Sequence, residues 1–251
     1  MVHGLDKFRD HFKDYKQHYI LIGGSACTLL MDEMGLTFRA TKDLDVVIVL
    51  DLFNESFLRH FHEFIEEGGY ELREVGQKTQ FYRFTHPANH LFPKQIELFC
   101  KASGVFNLKH QQRCIPILVD DNIVSLSAIL LESHYYDLLL SRKRELDDIS
   151  MIDLETMILF KIKAYLDNHL RRSSGERVDL VNVNKHRTDI LKLILIVSKE
   201  TKLSLDDQLK NDVIAFIEKI RFETPNLSSI GLINVSIEDL ILVLEQTFLS
   251  D

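Results

Sequence analysis

Two aspartates, Asp43 and Asp45, stand two residues apart at the entrance of an otherwise apolar run, Asp43-Leu-Asp-Val-Val-Ile-Val-Leu50. On a strand, side chains at i and i+2 leave the same face, with Cα atoms roughly 6.5 Å apart. Two carboxylates held so close repel unless a cation sits between them. A hard divalent ion supplies that cation, and Mg²⁺ commonly takes one or two protein carboxylates and completes its shell with water and substrate phosphates. Upstream, an apolar strand, His18-Tyr-Ile-Leu-Ile22, runs into Gly23-Gly24-Ser25 and then into a helical pattern from Ala26 to Met34. Without Cβ atoms, the glycine pair lets the main chain turn sharply and approach a ligand closely. Ser25 falls where the orphan N–H groups of the new helix point outward, a place suited to phosphate. Asp-x-Asp alone also fits a solvated strand start after an ordinary turn; Gly-Gly-Ser on the preceding strand favours a phosphate-and-metal site.

Gly24-Ser25, a short helix and then Asp43-x-Asp45 on the next strand resemble the signature of the polymerase-beta-type nucleotidyltransferases. The fuller set, Gly23-Gly24-Ser25-Ala26 followed by Arg39-x-Thr41-x-Asp43-Leu44-Asp45, is similar to that of the AbiEii branch, which includes toxins of abortive-infection toxin–antitoxin pairs. The spacing from Ser25 to Asp43 is on the long side for the superfamily. The resemblance implies Mg²⁺ or Mn²⁺ held by Asp43 and Asp45, and nucleoside triphosphate bound by Gly23, Gly24, Ser25, Arg39 and Thr41. It also implies a third carboxylate for metal and catalysis from the strand beside the aspartates. There Glu97, within Lys94-Gln-Ile-Glu-Leu-Phe-Cys100, stands where aspartate is usual. On the residues alone, Glu97 also fits an exposed pair with Arg83 across a hairpin, an interaction worth little, and the catalytic reading is preferred.

In AbiEii-like families a lysine closely followed by alanine on one helix, and a Lys-Asp-x-x-Asp-type motif opening the next, complete the site. Lys161, with Ala164 after it, and Lys185 and Asp189 match; His186 stands where an aspartate is more usual. By this resemblance Lys161 and Lys185 bind phosphate, and Lys161 and Asp189 take part in catalysis. A lysine beside a triphosphate supplies a point charge for oxygens that gain charge as pyrophosphate leaves. Asp189 would orient that lysine or accept the acceptor's proton as general base. The plainer alternative is an amphipathic helix with Ile158, Ile162, Tyr165 and Leu166 as its core stripe and Lys161 and Lys163 snorkelling on opposite flanks. Two residues apart on a helix, both lysines cannot face one ligand, and the position of Ala164 favours Lys161. Arg171-Arg172, ahead of Ser173-Ser174-Gly175, is either a contact for an acceptor phosphate or a solvated helix end.

The elements that must position these residues follow from hydrophobic period. Leu5, Phe8, Phe12 and Tyr15 predict an amphipathic helix over residues 4–17, and Phe53, Phe57, Phe61, Phe64 and Ile65 another over 51–67, stopped by Gly68-Gly69. His60 and His62 on that helix diverge, unlike an i, i+4 zinc pair. Residues 70–75, 79–85 and 94–100 read as strands, the last two forming a hairpin, and Ile115–Val119 as a final strand that Pro116 marks as an edge. From Ser125 the period is helical throughout: 126–146, 153–171, 185–199, 205–221 and 237–248. The expected architecture is α/β, a polymerase-beta-like sheet with flanking helices over residues 1–120, followed by a helical domain over 121–251 that closes the other wall of a cleft.

The chain has 251 residues, enough for one large domain or two small ones. Its 38 acidic residues against 30 basic ones argue against holding nucleic acid by bulk charge, though not against a local basic groove. Three cysteines, Cys27, Cys100 and Cys114, show no C-x-x-C spacing and read as reduced thiols. No apolar run approaches the ~20 residues of a membrane span, so a cytoplasmic protein without membrane contact is expected. The expected function is Mg²⁺-dependent transfer of a nucleoside monophosphate from an NTP to an acceptor hydroxyl, with RNA as acceptor and an antitoxin protein as partner by the AbiEii resemblance. Two rivals stand beside it. One is an enzyme of the same scaffold that modifies an antibiotic hydroxyl; the other is an inactive binding module, which His186 and Glu97 leave open.

Overall fold

A strand apolar on both faces needs a neighbour on each edge, and the run that follows Asp45 has both. In the computed structural model, which describes residues 2–52, 54–75, 78–101, 114–117 and 126–250, this run forms β2 (Asp43–Ile48). It lies between β1 (Tyr19–Ile22), antiparallel to it, and β5 (Gln95–Lys101), parallel to it. Beyond β5 come β4 (Lys78–Thr85) and β3 (Glu71–Val75); beyond β1 come β9 (Ile149–Ile152) and β8 (Lys143–Leu146), so the order is β3-β4-β5-β2-β1-β9-β8. Past Glu97, where β4 no longer pairs, β5 is joined by β7 (Leu126–Leu131), and β7 carries β6 (Cys114–Ile117). The two-residue hairpin turn between β8 and β9 is Asp147-Asp148, both at positive φ, +48° and +61°. That is the handedness that matches strand twist in tight hairpins.

Helices α1 (Leu5–Phe12) and α3 (Glu55–Gly68) bury Leu5, Phe8 and Phe12 and Phe57, Phe61, Phe64 and Ile65 of the predicted stripes; Tyr15, just past α1, is half-buried, and Phe53 lies outside the described residues. Phe8 meets Tyr19 of β1 edge-on at 5.1 Å and Phe64 at 5.7 Å, Phe12 meets Phe61, and Phe61 reaches Phe84 of β4. Each such ring contributes roughly 1.5–3 kcal/mol by leaving water, so this aromatic layer anchors the sheet that carries Asp45. Asn54 caps α3 by accepting from the Phe57 N–H at 2.9 Å. The Gly68-Gly69 stop works as expected: Gly69, at φ +59°, donates its N–H back to Glu66 and Ile65. The α2 helix (Gly23–Glu33) starts directly at the end of β1, and α4 (Ser133–Ser141) follows β7.

The chain divides into two compact units, Met1–Asp153 and Leu154–Asp251, so the division falls well after the expected boundary at residue 120. Residues 126–146 are not one helix but β7, α4 and β8. Leu-Ser-Ala-Ile-Leu-Leu is a short apolar run whose period fits helix or strand, and pairing with β5 decides it. Pro116 lies in β6, which among the described residues pairs only with β7, an edge as predicted. Leu118 and Val119, the end of the predicted strand, lie outside the described residues. Cys27 and Cys100 are reduced thiols buried in the first unit; Cys114 is a β6 residue.

The second unit is helical: α5 (Leu154–Ser173), α6 (Leu180–Leu193), α7 (Asp207–Glu223) and α8 (Ile237–Phe248). Polar N-caps set the starts of three of them, Asp179 for α6, Asp206 for α7 and, in a capping box with Asp239, Ser236 for α8. No helix among the described residues is long and apolar enough to cross a membrane.

One histidine in each unit makes folding pH-dependent. Burial lowers the pKa of His18 below 6.5, and burial, then the nearby Lys219, lowers that of His169. A group with a depressed folded pKa lets the unfolded chain take the proton first as pH falls through about 6.5, so its stabilising effect is present above that pH and lost below it. The urea midpoint should therefore be lower at pH 5.5 than at pH 7.5, with a smaller difference in a His18→Gln/His169→Gln variant.

Candidate active site

Residues paired across a sheet share a face, so the register of three ladders places the acidic residues. Ile22 pairs with Asp45, Asp45 with Glu97, and Glu97 with Arg83. One row thus crosses β1, β2, β5 and β4, and Asp43, two residues before Asp45, is on the same face. The intervening residues Leu44, Val46, Ile96 and Leu98 are fully buried beneath it, while Asp43 is exposed and Asp45 and Glu97 are half-buried. Neighbouring strands lie about 4.8 Å apart, so Asp43, Asp45 and Glu97 form one acidic patch on rigid backbone.

The N-terminus of α2 sits on this patch. Gly23 has φ +70°, and a Cβ there would lie 1.8 Å from Asp45 Oδ2. Only glycine allows the turn and the approach together. At Gly24 a Cβ would meet Thr41 Oγ1 at 3.0 Å and Arg39 Nη2 at 3.3 Å, so the two side chains of the Arg-x-Thr segment lie over the first helical turn. The N-cap position is Ile22, which makes no side-chain cap. Ser25 is buried; its Oγ donates to the Asp43 carbonyl at 2.5 Å. Its hydroxyl ties the helix start to the aspartate strand instead of opening toward solvent. Beside Asp43 a cavity of about 430 Å³ is lined by His3, His86, His90, Lys94 and Gln95, among others.

Glu97 both stands beside Asp45 and pairs with Arg83, so the two sequence alternatives coincide in part. The Arg83 Nε donates to Glu97 Oε1 at 2.5 Å and Nη2 contacts the same oxygen. With side chains 31% and 14% exposed, this is not the weak surface pair expected of a hairpin, and a charge-assisted fork fixes the carboxylate's direction.

In the helical unit, Lys161 Nζ lies 2.9 Å from Asp189 Oδ2, the two side chains only 5% and 1% exposed. Lys163 instead pairs with Asp167 along α5 at 3.3 Å. The helix therefore turns Lys161 inward to α6 and Lys163 to its flank. Lys185, one turn before Asp189, is exposed and His186 is half-buried. Arg171 pairs with Glu176 and Arg172 donates to the Val178 carbonyl, both bracing the Ser-Ser-Gly turn. The structure thus joins Lys161 to Asp189, and separately brings Gly23, Gly24, Arg39, Thr41, Asp43, Asp45 and Glu97 together. The pairing of Arg83 with Glu97 was legible in the sequence, but the cavity residues His86, His90 and Lys94 were not singled out there; only the three-dimensional structure brings them beside Asp43.

No protein-family model matches the chain, and no curated protein matches it by sequence. Among solved structures it is similar to JHP933 from Helicobacter pylori, with 13% identity and a TM-score of 0.42 over 96% of this chain and 85% of that one. It is also similar to the Megavirus polyadenylate synthase, with 11% identity and a TM-score of 0.38 over 88% of this chain and 36% of that one. The chain thus spans little more than a third of the Megavirus protein's length.

Proposed function

We propose that the chain is a nucleotidyltransferase, moving a nucleoside monophosphate from an NTP to an acceptor hydroxyl. One observation carries the reading: Asp43, Asp45 and Glu97 share a sheet face at the N-terminus of α2, where Gly23 leaves no room for a Cβ beside Asp45. The donor set is all carboxylate oxygen, which fits Mg²⁺ or Mn²⁺ and not a soft metal. Bound there, such an ion would neutralise and orient phosphate oxygens of the nucleotide. Asp43 and Asp45 would hold it, with Glu97 as third ligand. The first-turn N–H groups of α2 and the Arg39 guanidinium would bind the outer phosphates and take up the charge that pyrophosphate gains on leaving. Thr41 and Ser25 would set the geometry of that turn, Ser25 through the Asp43 carbonyl. Lys161, Lys185 and Asp189 carry the AbiEii-like resemblance of the helical unit, where Asp189 orients Lys161 in a buried ion pair.

The AbiEii-like motifs make an RNA hydroxyl the first acceptor to try and a neighbouring antitoxin the first protein partner. The test is incubation with α-labelled NTPs, Mg²⁺ or Mn²⁺ and RNA, followed by measurement of label transfer. Asp45→Asn should reduce transfer by on the order of 10²–10³-fold, the equivalent of several kcal/mol of lost charge stabilisation. Absence of transfer to RNA, with transfer to an aminoglycoside or lincosamide hydroxyl, would favour the small-molecule enzyme; nucleotide binding without any turnover would favour the binding module. Arg83→Gln should leave the fold intact and lower kcat/KM by about 10- to 100-fold, because a hydrogen bond to a charged group contributes roughly 1.5–3 kcal/mol. An Arg83→Gln enzyme at full activity would remove Arg83 from the site.

A further inference from the structure

A second group of metal-ligating side chains lies away from the acidic patch, where α1 packs on α3. His11 and His60 stack face to face, ring centroids 3.9 Å apart and planes 21° apart. Each ring reaches the other's main chain: His11 Nε2 lies 2.9 Å from the His60 carbonyl oxygen, and His60 Nε2 lies 2.6 Å from the His11 carbonyl oxygen. A carbonyl oxygen only accepts, so both Nε2 atoms carry the proton. That leaves Nδ1 as the other nitrogen of each ring, and each Nδ1 faces a carboxylate. His60 Nδ1 is 3.3 Å from Glu63 Oε2, and His11 Nδ1 is 3.9 Å from Glu67 Oε2.

A nitrogen donor beside a carboxylate oxygen is a pair of electron donors that one bound cation can share. A single divalent cation satisfies both nitrogens and the carboxylates at once. We infer that His11, His60 and Glu63, with Glu67 as fourth ligand, form a binding site for a zinc-class transition metal.

The details suit that ion. Imidazole nitrogen with carboxylate oxygen is a zinc-type donor set, and a metal-bound histidine commonly gives its other ring N–H to a partner such as a backbone carbonyl. At metal–ligand distances near 2.0–2.2 Å, tetrahedral donors lie about 3.4 Å apart. The His60–Glu63 pair already has that spacing, and one ligand atom from each of His11, His60 and Glu63 lies within 4.8 Å of the others. The glutamate side chains are 53% and 61% exposed, able to close the remaining distance and open to an arriving ion. The histidines are the rigid half: Tyr15 stacks on His60 at 4.7 Å, and Phe12 and Phe64 pack against His11. His62, the other histidine on α3, takes no part. A site of this kind would cross-link α1 to α3 and so brace the aromatic layer under the sheet.

The test is calorimetric titration of Zn²⁺ alone into the full chain carrying Asp43→Asn/Asp45→Asn, which removes the acidic patch as a competitor, with Co²⁺ absorption as a second readout. One equivalent should bind, and Co²⁺ should give the visible bands of a four- or five-coordinate site with nitrogen ligands. Glu63→Gln/Glu67→Gln changes only exposed side chains and should weaken binding ~10-fold or more, since even the outer-shell partners of a metal are worth that much. His60→Gln, which keeps an N–H for the His11 carbonyl, should abolish the Co²⁺ bands. Absence of stoichiometric binding, or affinity unchanged in the double glutamine variant, would overturn the site, whatever the outcome for nucleotide transfer.

Discussion

Lys161→Met is expected to destabilise the helical unit by about 3–5 kcal/mol, the usual cost of leaving one member of a buried ion pair without its partner. The pair joins α5 to α6 at 2.9 Å with almost no solvent contact, so the remaining Asp189 carboxylate would lose the cation that offsets its desolvation. Asp189→Leu should cost a similar amount for the converse reason. The double variant Lys161→Met/Asp189→Leu should recover most of the loss, because removing both charges leaves apolar groups where the desolvation cost had been. Urea denaturation of the four proteins measures the cycle. Single variants that each cost under about 1 kcal/mol would put the pair in the class of surface ion pairs and make Lys161 available to a ligand.

Gly23→Ala should abolish nucleotide binding while the chain still folds. An L-residue at φ +70° costs roughly 1–2 kcal/mol, tolerable for a domain with this aromatic core. The larger effect is steric: the new methyl would lie 1.8 Å from Asp45 Oδ2, so the Asp45 side chain must be displaced from its present position. Gly24→Ala is a sharp control. Its backbone is not in the left-handed region, and its added Cβ meets Thr41 and Arg39 at 3.0 and 3.3 Å, so it should weaken binding without abolishing it. Equal effects of the two substitutions would show that the Gly23–Asp45 contact does not govern the site.

How much of this was legible in the sequence depended on the range of each contact. The strand period put Asp43 and Asp45 on one face, and the same run declared β2 central because only its entrance carries charge. Gly-Gly-Ser between strand and helix announced a tight turn, but that Ser25 would spend its hydroxyl on the Asp43 carbonyl needed coordinates. Glu97 was ambiguous because register between parallel strands has no local signature; the pairing of Asp45 with Glu97 and of Glu97 with Arg83 settles its place. Residues 126–146 were misassigned to a helix because a six-residue apolar run has no decisive period, and its partner β5 lies some thirty residues back. His60 looked unpromising beside His62, and its true neighbour, His11, is 49 residues away on another helix.

Titration of each of the four nucleoside triphosphates into the protein, with and without Mg²⁺, and into an Asp43→Asn/Asp45→Asn variant, tests the nucleotidyltransferase reading most directly. Metal-dependent binding of at least one triphosphate by the native chain, absent from the variant, is the predicted result, and it also identifies the base. Failure of all four to bind in the presence of Mg²⁺, or equal binding by the variant, would contradict the reading.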